Sequence, residues 1–338
     1  MSDAPLLELA GTPRERGLAH GRARADRLRA FVDDGLARLA HLTDTAPRLE
    51  DMRGDIAAHR DAVAEAIPDL AEEVEGLAAG AGLDRDLAWL LQLRRELLGY
   101  SRVTAGDCTA YAAAGGVLAQ TVDLNGNLDD QIAVLEVAGP PRRSLLLSFG
   151  GLLGYLGVND AGVAVGLNLV LGGTWRPGVP PYLAIRHVLD TAESVDHAVE
   201  ILRGLPLASS RSFMLCGPDR AVCVEALGDR RRVLEGPRLW HANHYLDPEF
   251  AEHDQINVFA KNSSRRRLEA AREGGVPDPD DIDAHHRLLS EPPIRVPDNG
   301  DIRRERTVAA VVLRPDLRRL HLWPGDPADA KEHVWSLR

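Results

Sequence analysis

The chain has 338 residues, 44% of them apolar and 27% charged, and a formal net charge of −11. That length and composition suffice for one large core or two modest ones, and they exclude a disordered, fibrous or small disulfide-stapled protein. The acidic balance excludes a nucleic-acid partner, which would need basic groups in excess on one face, and the run Arg265-Arg266-Arg267 reads as a solvated helix face.

The start, MSDAPLLELAGTPRERG, carries charges and a proline where a secretory segment needs a continuous apolar run, so the expected location is the cytoplasm. From residue 13 to about residue 99, apolar positions recur at spacings of three and four, which predicts helices divided at Pro47, Pro68 and Gly82. From Cys108 the texture changes to short apolar runs ended by Gly, Asn, Asp or Pro, among them CTAYAAA, VLAQTVD, IAVLEVA, SFMLCG and AVCVEAL, which read as strands. The stretch SLLLSFGGLLGYLGVNDAGVAVGLNLVLGG is long enough to cross a bilayer and carries one charge, Asp160. Its glycines and the Asn159-Asp160 pair instead suit buried strands joined by tight turns, and no membrane partner is expected. YLAIRHVLDTAESVDHAVEILRGL predicts two helices, with Ser194 as an N-cap and Gly204 as a stop. A helix over residues 263–272 follows, then a Pro- and Asp-rich stretch at 274–300 that reads as a mobile, lid-like surface excursion. The strands TVAAVVLR and RLHLWPG close the chain. A helical first third followed by strands, without regular alternation, predicts a layered α+β domain.

Three cysteines, Cys108, Cys216 and Cys223, are too few and too irregular for a disulfide framework or a zinc site. The glycines at 150, 151, 154 and 157 precede no helix that could receive a pyrophosphate. The acidic run at 123–129 lacks the Gly and Glu that a calcium loop requires. His241 and His244 have no third ligand in view, so no metal or cofactor is expected.

What rises above this background is Gly106-Asp107-Cys108-Thr109-Ala110-Tyr111, followed by Gln120-Thr121-Val122-Asp123. Further along come GTPRERGLAHG near the start, Gly157-Val158-Asn159-Asp160-Ala161-Gly162, Leu167-Asn168, Asn243-His244, residues 263–267, and Gly325-Asp326-Pro327. In kind and order these resemble the peptidase C45 family, the acyl-coenzyme A:6-aminopenicillanic acid acyltransferase-like enzymes. The resemblance implies a four-layer αββα N-terminal-nucleophile hydrolase sandwich with a helical N-terminal segment. It also implies self-cleavage of the Asp107–Cys108 bond into segments 1–107 and 108–338, packed together as one domain.

Cys108 is then the nucleophile, because cleavage supplies an α-amino group with an ordinary pKa of about 7.7–8.0 to take up the thiol proton. By the same resemblance, Asp123 orients that amino group, and the Asn243 side chain with the backbone N–H of Asn168 stabilises the oxyanion. Thr109 and Asn168 border the substrate, and Arg306, with Arg303 and Arg304 as competitors, supplies positive charge near the sulfur. The substrate implied is a small amide or acyl-thioester, with water or an amine as acceptor. The alternative is an uncleaved, non-catalytic binding protein of the same fold, and a homo-oligomer stays open. Asp107 departs from the Gly that precedes the nucleophile in the best-known members. A side chain there is expected to slow self-cleavage, because the peptide must adopt a strained turn.

Overall fold

Thr12 opens the first helix: the Glu15 N–H donates to its Oγ1, while the Glu15 carboxylate accepts the Thr12 N–H at 2.8 Å, and Pro13 sits at the first helical position. The computed structural model describes residues 4–99, 108–139 and 141–337, so Asp107 and its peptide bond to Cys108 lie outside the described residues. The first segment holds β1 (Leu6–Ala10), α1 (Pro13–Asp33), α2 (Leu39–Leu42), α3 (Leu49–Ala66), α4 (Pro68–Ala81) and α5 (Arg85–Leu98). Gly82, in the left-handed conformation, stops α4 as its position in the sequence predicts.

After Cys108 come β2 (Thr109–Ala113), β3 (Val117–Leu124), β4 (Ile132–Ala138), β5 (Arg143–Phe149), β6 (Leu156–Asn159) and β7 (Ala164–Leu169). The long apolar stretch is thus core sheet, and no helix among the described residues is long and apolar enough to cross a membrane. Next are α6 (Pro181–Thr191) and α7 (Val195–Gly204), the latter capped by Ser194, whose Oγ accepts the His197 N–H. β8 (Arg211–Cys216), β9 (Ala221–Leu227), β10 (Arg230–Glu235) and β11 (Arg238–His241) precede α8 (Pro248–Ala251), α9 (Val258–Gly274) and α10 (Ile282–Ser290). The chain ends on β12 (Arg306–Arg314), β13 (Arg319–Pro324) and β14 (His333–Ser336).

These strands form an eight-stranded sheet, ordered β1-β4-β5-β6-β7-β8-β9-β10, and a six-stranded sheet, ordered β11-β2-β3-β12-β13-β14. The sheets stack through β2 and β3 against β7 and β8, with α6 and α7 on the outer face of the first and α9 and α10 on that of the second. Alternation within the six-stranded sheet divides its side chains between two cores. Ala110, Ala112, Leu118, Val122, Val311 and Leu313 face the other sheet, whereas Tyr111, Ala113, Val117, Ala119, Ala310 and Val312 face α9 and α10. With both faces covered, its strands read as continuous apolar runs. The molecule is an α+β, four-layer αββα sandwich.

Two expectations are corrected. The N-terminal segment is not wholly helical, since β1 pairs in parallel with β4 and joins the larger sheet. Residues 274–300 are not a structureless excursion throughout: α10 buries His285 and Leu289 against the smaller sheet, and the Tyr111 hydroxyl lies 2.9 Å from His285 Nδ1. The apolar periodicity of α10 spans only nine residues between prolines, too short to stand out in the sequence.

The early glycine pattern has a packing cause. A Cβ on Gly17 would lie 2.0 Å from the Glu73 carbonyl oxygen, and one on Gly21 2.4 Å from that of Leu77. Gly76 and Gly80 face back across the same crossing, so α1 and α4 meet backbone to backbone. Gly17→Leu is therefore expected to lower unfolding stability by about 3 kcal/mol or more, read as a shift of the denaturant midpoint, because the obstacle is backbone and cannot rotate away. A change below about 0.5 kcal/mol would mean that the crossing adjusts freely. Beside this crossing, the buried Glu73 pairs with Arg16 at 2.9 Å and with Arg186 at 3.0 Å, and Arg186 also holds Asp190. These charges join α1 and α4 to α6 and so tie the segment before Cys108 to the segment after it.

Candidate active site

Cys108 stands just before β2 with φ 70°, in the left-handed region that residues bearing a side chain seldom occupy. The β2–β3 register sets Thr109 opposite Thr121, which brings Asp123 beside Cys108 at the mouth of the pair. The Cys108 N–H donates to Asp123 Oδ2 at 3.0 Å, and the Thr307 hydroxyl donates to Asp123 Oδ1 at 2.6 Å. The Asp123 N–H points back to Cys108 Sγ at 3.5 Å, and the Tyr155 hydroxyl lies 3.6 Å from the same sulfur. Tyr155 is fixed by stacking on Tyr182 and by an edge contact with Phe149.

Gln120, three residues before Asp123, has a separate task. Its Nε2 donates to the Leu167 carbonyl at 2.6 Å and its Oε1 accepts the Leu167 N–H at 2.9 Å, which stitches the two sheets together behind the site. In the turn motif, Asn159 accepts the N–H groups of Ala161 and Val163 and donates to the carbonyls of Leu189 and Ala192. These motifs therefore contain both framework residues and groups at the thiol.

Behind Cys108 lies a polar cluster that the sequence reading did not assemble. Arg267, wholly buried, donates through Nη1 to the Cys108 carbonyl at 2.7 Å and to Thr109 Oγ1 at 2.9 Å, and through Nη2 to Asn243 Oδ1 at 2.6 Å. The assignment of 265–267 to a solvated face fails for Arg267, because helical spacing puts it with Ser264 on the inward side of α9. Ser264 Oγ accepts the Asn243 N–H at 2.7 Å. That i, i+3 pairing inside SSRRR was the available signal. Asn243 Nδ2 donates to the Leu169 carbonyl at 3.0 Å. His241 lies 2.8 Å from Glu225, which also accepts the N–H groups of Leu246 and Asp247 and so anchors the turn that carries Asn243.

Three expectations change. Asn168 approaches Cys108 through its side chain, with Nδ2 donating to the Cys108 carbonyl at 3.1 Å, while its backbone pairs with Ser212 in the β7–β8 ladder. Thr109 and Asn168 are fully buried as supports of the Cys108 backbone and do not border the cavity. Arg306 turns away from the sulfur to Asn127 Oδ1 at 3.1 Å and Asp129 at 2.6 Å, because the next residue, Thr307, takes the position that faces Asp123. Arg303 pairs with Asp301 at the surface.

Cys108 lines a partly enclosed cavity. Phe31, Leu91, Phe149, Leu152, Leu167 and Leu169 make much of its wall, and Arg94, Arg95, Arg211 and Glu305 add polar groups. Helices α1 and α5 supply part of this wall, so the site needs both the segment before Cys108 and the segment after it. The other two cysteines are sealed in the core: burial pushes the Cys216 thiol up to about 12 and raises that of Cys223 further.

Two stacked sheets between helical layers, with a cysteine at the head of a central strand, define the N-terminal-nucleophile hydrolase fold. Penicillin V acylase from Agrobacterium tumefaciens shares it, with a TM-score of 0.50 and 14% identity over 68% of this chain and 86% of its own. The chain belongs to the acyl-coenzyme A:6-aminopenicillanic acid acyl-transferase family, whose profile matches residues 111–328. The 40 kDa form of acyl-coenzyme A:6-aminopenicillanic-acid-acyltransferase from Emericella nidulans is 26% identical over 266 residues, which cover 75% of this chain and 73% of that protein. The family to which the chain belongs is one of acyl-transferring enzymes.

Proposed function

We propose that the protein is a self-cleaving cysteine amidohydrolase or acyltransferase, acting on small amides or acyl-thioesters through a thioester on Cys108. The observation that carries this reading is the buried Asp123 carboxylate, whose Oδ2 accepts the backbone N–H of Cys108 at 3.0 Å. A mid-chain amide has no need of a buried anion, whereas the ammonium released by cleavage does.

In the first turnover the Cys108 sulfur attacks the carbonyl carbon of Asp107. The C–N bond breaks, the thiol proton passes to the leaving nitrogen, and water then hydrolyses the thioester to free residue 107 as a carboxylic acid. The segments 1–107 and 108–338 stay together as one domain through β1 in the larger sheet and the Arg16–Glu73–Arg186 contacts. In later turnovers the new amino group, held by Asp123, takes the thiol proton and returns it to the leaving amine or thiol. The apolar cavity suits the acyl part of the substrate. Water as second acceptor makes the enzyme a hydrolase, and an amine makes it an acyltransferase, the activity named for the Emericella relative.

An amide side chain carries two N–H groups. Asn243 donates through Nδ2 to Leu169, and by the family resemblance this amide is the group assigned to the oxyanion. The acceptor role of Asn243 Oδ1 toward Arg267 fixes which face of the amide presents those donors.

Intact mass under denaturing conditions tests the proposal. Two species, 1–107 and 108–338, support it, whereas a single full-length species that turns over no amide or thioester identifies a binding protein of this fold. Asp123→Asn is expected to slow both maturation and turnover by about 10² or more, because a neutral amide holds the ammonium poorly and disturbs its geometry. Normal maturation and kcat in that variant would return Asp123 to a purely structural role.

A further inference from the structure

The cavity beside Cys108 is largely apolar, yet α5 sets a guanidinium in its wall at Arg94. The Arg94 Nε donates to the Ala37 carbonyl at 2.8 Å, and its Cζ lies over the Phe31 ring, 5.4 Å from the centre. Its Nη2 is buried without a hydrogen-bond partner. The nearby arginines are differently placed: Arg38 takes Asp34 and Asp130, and Arg211 takes Glu96. Among the described residues no carboxylate pairs with Arg94. The groups that act on it are Tyr182 and the cations Arg38 and Arg95, and burial, reinforced by those cations, brings its pKa down to about 10. A cation withdrawn from water beside other cations and paired with no carboxylate is strongly unfavourable unless a ligand supplies the counter-charge.

We propose that Arg94 holds a carboxylate of the substrate, so that the enzyme selects anionic amides or thioesters over neutral ones of the same shape. This rests on the acyl-transfer reading of the Cys108 site and names the class of substrate for it. The planar fork of a guanidinium matches two carboxylate oxygens, and the low-dielectric wall strengthens that contact. The carboxylate sits either at the far end of the acyl chain or on the amine part.

The test compares three amides in the mature enzyme. N-ethyloctanamide is neutral, the mono-N-ethylamide of octanedioic acid carries its carboxylate on the acyl part, and N-octanoylglycine carries it on the amine part. One of the two anionic amides is expected to show a kcat/KM about tenfold or more above the neutral one, and which of them does so identifies the source of the charge. In Arg94→Met the advantage falls to near unity, and in Arg94→Lys part of it returns, since an ammonium keeps the charge without the fork. A merely structural Arg94 would lower all three substrates alike.

Equal kcat/KM for the three amides in the wild type overturns the proposal whatever the variants do, and so does a preference that survives Arg94→Met. If none is turned over, the acyl-transfer reading fails for these compounds while the role of Arg94 is still decided by calorimetry. Tighter binding of an anionic amide than of the neutral one to Cys108→Ala protein supports it, and equal binding overturns it.

Discussion

Cys108→Ala is expected to abolish turnover, a loss of at least about 10⁴-fold, and to leave the protein as one uncleaved chain. The change removes a sulfur at the wall of a cavity and keeps the backbone groups that Asp123, Asn168 and Arg267 hold, so the unfolding midpoint should stay close to that of the wild type. Cys216 and Cys223 serve as internal controls. Both are buried with raised thiol pKa values, so alanine at either position should leave chemistry intact, and a thiol reagent should reach Cys108 first in native protein. Full activity of Cys108→Ala on a responsive substrate would remove the thioester mechanism. Faster labelling of Cys216 or Cys223 would contradict the placement of Cys108, and of neither of these two, in the cavity wall.

Arg267→Met is expected to be the most damaging single change outside the nucleophile. One guanidinium satisfies the Cys108 carbonyl, the Thr109 hydroxyl oxygen and the Asn243 amide oxygen, all of them buried. A thioether of similar length fills the space and donates to none of them. Stranding two or three buried acceptors costs about 3–5 kcal/mol in stability. Loss of the hold on Cys108 and Asn243 together should lower kcat by about 10² or more, through misplacement of the nucleophile and of the oxyanion donor. Arg267→Lys keeps the charge but cannot reach three acceptors in one plane, so it should fall between wild type and Arg267→Met. Stability and kcat both within experimental error of wild type would show that the cluster reorganises without the guanidinium. Loss of stability with kcat retained would make Arg267 a packing residue only.

Arg306 and Arg267 mark where reading from sequence stopped. Arg306 begins the strand RTVAAVVLR, a reasonable place for a charge near the sulfur, but one residue decides which face of a strand a side chain occupies. Thr307 took the inward place beside Asp123, and Arg306 went to Asn127 and Asp129. Arg267 sits in a run of three arginines, where composition alone suggests solvent, and only the docking of α9 on the smaller sheet selects the one that turns inward. Asn168 shows the same limit, since the residue was singled out for its backbone while its side chain makes the contact.

By itself the sequence determined the helical run divided at Gly82, the capped α7 and the succession of buried strands, because these rest on short-range periodicity and on cap and turn chemistry, while the resemblance to a known family is what pointed to Cys108 with Asp123. The tertiary structure alone decided that β1 joins the larger sheet, that α1 and α4 meet at glycines, that Tyr155 and Arg267 reach Cys108 from 47 and 159 residues away while Thr307 reaches Asp123 from 184, and that Arg94 stands in the cavity wall. Those contacts depend on sheet stacking and helix docking, where side chains distant in sequence meet on faces that no local pattern specifies.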